Sequence, residues 1–213
     1  IVAIIPIKSK SKRVKRKNFR KIGNKKLYQF LLETLRHCKF DEIYVDSDSN
    51  EIKNYCKKNN FNFLKRKPHL AKDDANGNDL LNYHSEIFKA DYYFQLFITA
   101  PLLKAKTIND CIKIIKENKK IDSIFTCKSI YSWFWFRNKP INYIPKILPR
   151  SQDAKPVIVE STGLYGIKAK TLKKIKCRIG KKPYFYEIDD YESLDIDNKK
   201  DIEYLKYQVS NKK

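Results

Sequence analysis

A chain of 213 residues with 42% hydrophobic and 13% aromatic residues can close a core, which excludes a disordered polyelectrolyte, while 5 Gly and 8 Pro exclude collagenous or low-complexity designs. Lys and Arg number 46 against 24 Asp and Glu, a formal net charge of +22 that attracts polyanions without choosing among nucleic acid, anionic membrane and phosphorylated small molecules. The basic residues are spread along the chain among many Asn and Ile, a compositional bias rather than a focused groove.

The first expected element is a strand over residues 2–6, a continuous apolar run closed by Pro6, as in strands buried on both faces of a parallel sheet. A basic loop over residues 8–18 follows. Leu27, Tyr28, Leu31, Leu32 and Leu35 lie at helical spacing and predict a helix over 27–38, and residues 42–45 are again strand-like. The alternation continues with a helix over 50–59, a strand over 61–64, a helix over 79–90 and an aromatic strand over 92–98. Thr107 is then expected to cap a helix carrying Ile108, Cys111, Ile112 and Ile115, followed by a strand over 123–126. Segments alternating in this way predict an α/β fold, a mostly parallel twisted sheet with helices on both faces.

The rhythm breaks at residues 129–156, where Trp133, Phe134, Trp135 and Phe136 precede a stretch punctuated by Pro140, Pro145, Pro149 and Pro156. This reads as an inserted arm whose aromatics make a packing or subunit contact. Residues 1–128 and 157–213 then form the α/β domain around it. The pattern resumes at 157–159 and 163–167 and closes with a helix over 199–209. Cys38, Cys56, Cys111, Cys127 and Cys177 form no CxxC pair, so neither a zinc site nor a disulfide-stapled fold is expected and a cytoplasmic setting fits. No apolar stretch approaches a membrane span and no signal-peptide pattern precedes the first strand, so a membrane partner is not expected.

Two clusters carry chemistry. The run from Lys8 to Asn18 leaves the carboxyl end of the first strand, where open α/β sheets bind ligands, and its serines, amides and ammonium groups can surround a polyphosphate. Without that placement it would read as a solvated basic loop. Near the other end, Ser193-Leu194-Asp195-Ile196-Asp197 alternates acidic and apolar residues, so an extended backbone projects Asp195 and Asp197 to one side. Adjacent carboxylates repel unless a cation lies between them, and Mg²⁺ binds through one or two carboxylates plus phosphate oxygens. The alternative is a solvated acidic turn with Asp197 capping the last helix. If the fold brings the two clusters together, they make a nucleotidyl-transfer centre.

The segment from Ala3 to Asn18 resembles the IPARxGSKxxxxKN signature of the acylneuraminate (CMP-sialic acid synthetase-like) cytidylyltransferases. Further resemblances follow in family order: Asp41 to Asp48 to a second-strand motif, Pro68 to Asp73 to RPxxLAxD, Thr99 to Leu102 to PTSPLR, and Arg150 to Asp153 to RRQD. Glu160 to Tyr165 resembles NGAIY, and Ser193 to Asp197 the terminal metal motif. The resemblance implies a Rossmann-like nucleotidyltransferase fold with a protruding arm that forms a homodimer, and Mg²⁺-dependent transfer of CMP from CTP to an acidic sugar. On this reading Lys8, Lys17, Asp195 and Asp197 are catalytic, with the two aspartates holding the metal. Lys8, Ser11, Lys12, Lys17, Asn18 and Asp48 bind nucleotide, and Phe97, Thr99, Arg150, Gln152, Glu160 and Tyr165 meet the acceptor.

The departures concern the acceptor more than the nucleotide. Lys8 replaces the family arginine, keeping charge without its planar fork, and Ser9-Lys10 replaces glycine-rich positions. Phe97 stands where glutamine is usual and Leu103 where arginine is usual, both in a segment expected to line the sugar pocket, so the acceptor is expected to differ from sialic acid. The candidates are a related nonulosonic acid for a surface glycan and a small phosphorylated metabolite. Another class, a nucleic-acid module stacking bases on Trp133 to Phe136, would need a continuous basic stripe beside those rings and is disfavoured.

Overall fold

The computed structural model describes residues 1–72 and 74–211. In chain order it runs β1 (Val2–Ile7), a 3-10 turn (Lys17–Phe19), a short hairpin of β2 (Lys21–Ile22) and β3 (Lys25–Lys26), and α1 (Leu27–Leu35). It continues through β4 (Glu42–Ser47), α2 (Asn50–Asn59), β5 (Asn62–Lys65), α3 (Gly77–Ile87), β6 (Tyr92–Leu96), α4 (Ala105–Glu117) and β7 (Ser123–Ile130). A small hairpin of β8 (Trp135–Phe136) and β9 (Lys139–Pro140) precedes β10 (Val157–Lys168), α5 (Ala169–Ile175), β11 (Pro183–Glu187) and α6 (Lys199–Ser210).

The central seven-stranded sheet has the order β11-β7-β10-β6-β1-β4-β5. Every neighbouring pair is parallel except those made by β10, which runs antiparallel to both β6 and β7. Alternation along β1 explains its uniformly apolar sequence. Ala3, Ile5 and Ile7 face the core formed with α1, α2 and α4, whereas Val2 and Ile4 face Leu81 of α3 and Leu172 of α5. The chain proceeds from β1 outward to β4 and β5 on one side, and β6 lies on the other. The carboxyl end of β1 is therefore a topological switch point, where open sheets leave a crevice for ligand.

Several boundaries differ from the sequence reading for local reasons. Thr107 does not cap α4; it is buried in the first turn, because the N–H of Lys104 is held by the Glu192 carboxylate at 2.9 Å and the helix starts at Ala105. The predicted strands at 157–159 and 163–167 are one strand, β10, with a register shift between Glu160 and Tyr165. Ser129 and Ile130 pair with Ile158 and Val157, so they extend β7 and the arm leaves the sheet only after them. No helix among the described residues is long and apolar enough to cross a membrane.

Candidate active site

The two charged clusters, separated by nearly the whole sequence, meet at the carboxyl end of β1. Ile196 anchors the acidic segment. It is fully buried among Val14, Ile22, Leu27, Leu102, Ile202 and Leu205, and its N–H donates to the Thr99 carbonyl at 2.8 Å. Because side chains alternate along extended backbone, burying Ile196 sends Asp195 and Asp197 the other way. The segment is extended without joining the sheet. Asn198, not Asp197, caps α6, and Asp201 accepts the backbone N–H of both Asp197 (2.7 Å) and Asn198 (2.8 Å), fixing the acidic backbone to the helix start.

Lys17 joins the loop to this segment. The residue is only 8% exposed, its Nζ donates to the Ile196 carbonyl at 2.5 Å, and it lies 3.6 Å from Asp197 Oδ1. Burial lowers its pKa from the ordinary lysine value, with the negative charges of Asp197 and Asp195 acting in the opposite direction. Arg13 closes a two-pronged pair on Asp197, Nη1 to Oδ2 and Nη2 to Oδ1, both at 2.6 Å. Burial raises the Asp195 pKa, opposed by hydrogen bonds from Thr99 and Thr162 and by Lys17, and reinforced by the neighbouring Asp197 charge.

Among the described residues no group of three or more His, Cys, Asp or Glu side chains forms a metal cage. A two-carboxylate site completed by phosphate oxygens needs none, since Mg²⁺ is commonly bound that way. Asp195 Oδ1 is buried with no hydrogen-bond partner, the condition an ion would relieve, so the residues present fit a divalent cation.

A cavity of about 410 Å³ opens beside this junction, lined by Lys8, Ser11, Lys12, Arg13, Lys17 and Asn18 of the loop and by Phe97 and Thr99 beyond β6. Asn18 Nδ2 donates to the Lys8 carbonyl at 2.8 Å and Lys8 Nζ to the Lys72 carbonyl at 3.3 Å. Asp48 lies at the loop's base, where its carboxylate accepts the Ser9 N–H at 2.7 Å and the Ser9 hydroxyl at 2.5 Å. It thereby ties the loop's entry to the end of β4. Asp73 lies outside the described residues.

The acceptor-side residues divide. Tyr165 is buried on β10 and its hydroxyl donates to Glu160 at 2.6 Å; its ring meets Phe97 edge-on at 6.3 Å. Arg150 and Gln152 lie exposed on the arm, with Arg150 paired to Asp153, and neither lines the cavity. Leu103 does not line this cavity. It is 1% exposed in the main core, so its apolar character reflects packing.

Two contributors escaped the sequence reading. Thr162, in the register shift of β10, has φ +58° and donates its hydroxyl to Asp195 Oδ2 at 2.9 Å. Such shifts re-aim side chains beside active sites, and Gly163 inside a strand-like run was the available signal. Arg66 lines the cavity from β5's end, its Nε donating to the buried Asp46 Oδ1 at 2.8 Å, while His84 Nε2 lies 2.7 Å from Asp46 Oδ2. This buried pair of cationic and imidazole groups on one carboxylate stiffens the cavity floor.

A sheet of this topology, with a cationic loop and paired carboxylates at its switch point, has the Rossmann-like nucleotidyltransferase fold. Residues 2–132 match the cytidylyltransferase family, and the chain belongs to it. It is 27% identical over 205 residues to the Helicobacter pylori protein named pseudaminic acid cytidylyltransferase and UDP-2,4-diacetamido-2,4,6-trideoxy-beta-L-altropyranose hydrolase, covering 92% of this chain and 40% of that protein. It is 24% identical over 207 residues to N-acylneuraminate cytidylyltransferase A of Danio rerio, covering 92% of this chain and 48% of that protein. The chain thus spans half or less of these relatives' lengths. Among solved structures, CMP:2-keto-3-deoxy-manno-octonic acid synthetase complexed with CTP superposes with a TM-score of 0.72 at 14% identity, covering 100% of this chain and 99% of that one.

Proposed function

We propose that this chain transfers CMP from CTP to an acidic sugar of the nonulosonic type, releasing pyrophosphate and supplying an activated building block for a surface glycan. The observation that carries the reading is Lys17, which reaches from the cationic loop to both the Ile196 carbonyl and Asp197. An acceptor oxygen attacks the α-phosphorus in line, and negative charge grows on the departing pyrophosphate. Lys8, Lys12 and Lys17 stand where that charge develops, Ser11 and Asn18 orient the triphosphate, and Asp48 keeps the loop in shape. Asp195 and Asp197 would hold Mg²⁺, which supplies further neutralisation at the phosphates. Thr99, Phe97, Glu160 and Tyr165 form the acceptor side.

The exposed arm supports a homodimer. Trp135, Phe136, Ile144 and Ile147 are between 58% and 72% exposed, more apolar surface than a solvated loop needs, and a second copy is the occupant that would also receive Arg150 and Gln152. Five free cysteines support a reducing, cytoplasmic setting.

The test is pyrophosphate release with each nucleoside triphosphate, Mg²⁺, and pseudaminic acid, N-acetylneuraminate or 2-keto-3-deoxy-manno-octonic acid. CTP-selective release with pseudaminic acid or N-acetylneuraminate is expected, and release with the eight-carbon 2-keto-3-deoxy-manno-octonic acid alone would refute the nonulosonic assignment. Absence of release with all three, in protein that binds CTP, would overturn the reading.

A further inference from the structure

One cation beside the cavity has no assigned role. Arg178, between α5 and β11, places its guanidinium carbon 3.7 Å from the centre of the Tyr165 ring and 5.6 Å from that of Phe97. Its Nη1 donates to Gln95 Oε1 at a long 3.4 Å, and no carboxylate among the described residues pairs with it. A guanidinium carries five donors in a planar fork, so most of this fork's capacity is unused. A guanidinium carbon 3.7 Å from the ring centre is held against the ring face, and the contact restricts how the fork can turn.

The approach is built into the backbone. A Cβ on Gly77 would fall 2.4 Å from Arg178 Nη1, so the first residue of α3 must be glycine for the guanidinium to lie there. The backbone N–H of Arg178 donates to Asn78 Oδ1 at 2.9 Å, tying its loop to the same helix start. Gly77 and Phe97 are both in the cavity wall, and the Tyr165 hydroxyl feels the charges of both Arg178 and Asp195. An uncompensated cation on a rigid aromatic shelf therefore sits between the nucleotide cavity and the acceptor-side residues.

We propose that Arg178 is a specificity-determining residue that binds the carboxylate of the acceptor, using the Tyr165 ring to hold its fork flat. The inference rests on the reading above and deepens it. A planar carboxylate matches two parallel N–H groups of a guanidinium held in one plane. Phe97, apolar where the family has glutamine, completes the shelf instead of contacting sugar hydroxyls, so selection shifts from hydrogen bonds at that position to charge at Arg178.

The experiment is titration calorimetry of the same three acids, and of their methyl esters, against protein loaded with an α,β-methylene analogue of CTP. The variants are R178M, which keeps the hydrocarbon on the ring without the charge, and R178K. At least one acid should bind the wild type, and R178M should weaken it about 10- to 100-fold with the affinity for the nucleotide analogue retained. R178K should recover part of the loss, and the ester should bind the wild type no better than the acid binds R178M. Unchanged acid binding in R178M, or nucleotide affinity lost along with it, would overturn the proposal, as would failure of all three acids to bind. Acid binding that depends on Arg178 without any pyrophosphate release would instead refute cytidylyl transfer and leave Arg178 in place.

Discussion

Thr162 offers a test in which stability and catalysis should separate. A β-branched residue at φ +58° stores about 1–2 kcal/mol of backbone strain, which Thr162→Gly removes. Glycine returns about 0.5–1 kcal/mol of that through the entropy of the unfolded chain. Loss of the 2.9 Å bond to the Asp195 carboxylate adds about 1.5–3 kcal/mol of destabilisation. The net cost is about 1.5 kcal/mol, a fall in melting temperature of about 3–6 °C for a domain of this size. Activity should suffer far more, because Asp195 keeps only Thr99 as a hydroxyl partner and, on the proposed reading, would hold the metal, where a displacement of an ångström costs about 10- to 100-fold. Thr162→Ser, which retains the hydroxyl, should stay close to wild type in both respects. Melting curves and steady-state pyrophosphate release on the three proteins decide the matter. Wild-type kcat/KM in Thr162→Gly, or equal impairment in Thr162→Ser, would refute the role given to the strand irregularity.

Lys17→Ala should lower kcat for pyrophosphate release by about 10²- to 10³-fold, the usual loss when one preorganised donor to developing charge is removed. Asp195→Asn should abolish measurable turnover yet raise the melting temperature at pH 7. Burial raises the Asp195 pKa, so its contribution to stability is fully present below the unfolded carboxylate pKa and lost as pH rises through the folded one; the gain over wild type should shrink as pH falls toward about 4. Sedimentation velocity should show a wild-type dimer and a monomer for the double variant Trp135→Glu, Phe136→Glu, and a double variant that still dimerises would exclude the arm as the contact.

What the sequence disclosed follows from how strongly each residue's surroundings dictate it. β1 was legible as an unbroken apolar run because both its faces are buried, and α1, α2 and α6 because their buried faces impose a period of 3.6 on the chain; Leu31, Ile52 and Ile202 have no choice but to be apolar. That Asp195 and Asp197 project to one side was legible because side chains alternate around Ile196, whereas their meeting with Lys17 depended on the fold closing a separation of 179 positions. α5 and β11 were not legible. α5 buries Leu172 alone, and β11 is an edge strand that opens with Pro183 after a run of lysines, so neither leaves a readable apolar period. Arg178 was invisible for a different reason: its neighbours Gly77, Gln95 and Tyr165 come from three other elements, and no local spacing announces a contact made only by tertiary structure.

The bond from Lys17 to Ile196 spans 179 positions, and that from Arg13 to Asp197 spans 184. During synthesis the cationic turn therefore emerges well ahead of its acidic counterweight, and the growing polypeptide carries a concentrated positive knot until Asp195 and Asp197 follow it. Assembly of this junction consequently waits for the acidic segment: a product cut short between Glu187 and Asp195 retains every strand of the central sheet and every lysine of the turn, yet lacks both aspartates and the tether that holds Lys17 in position.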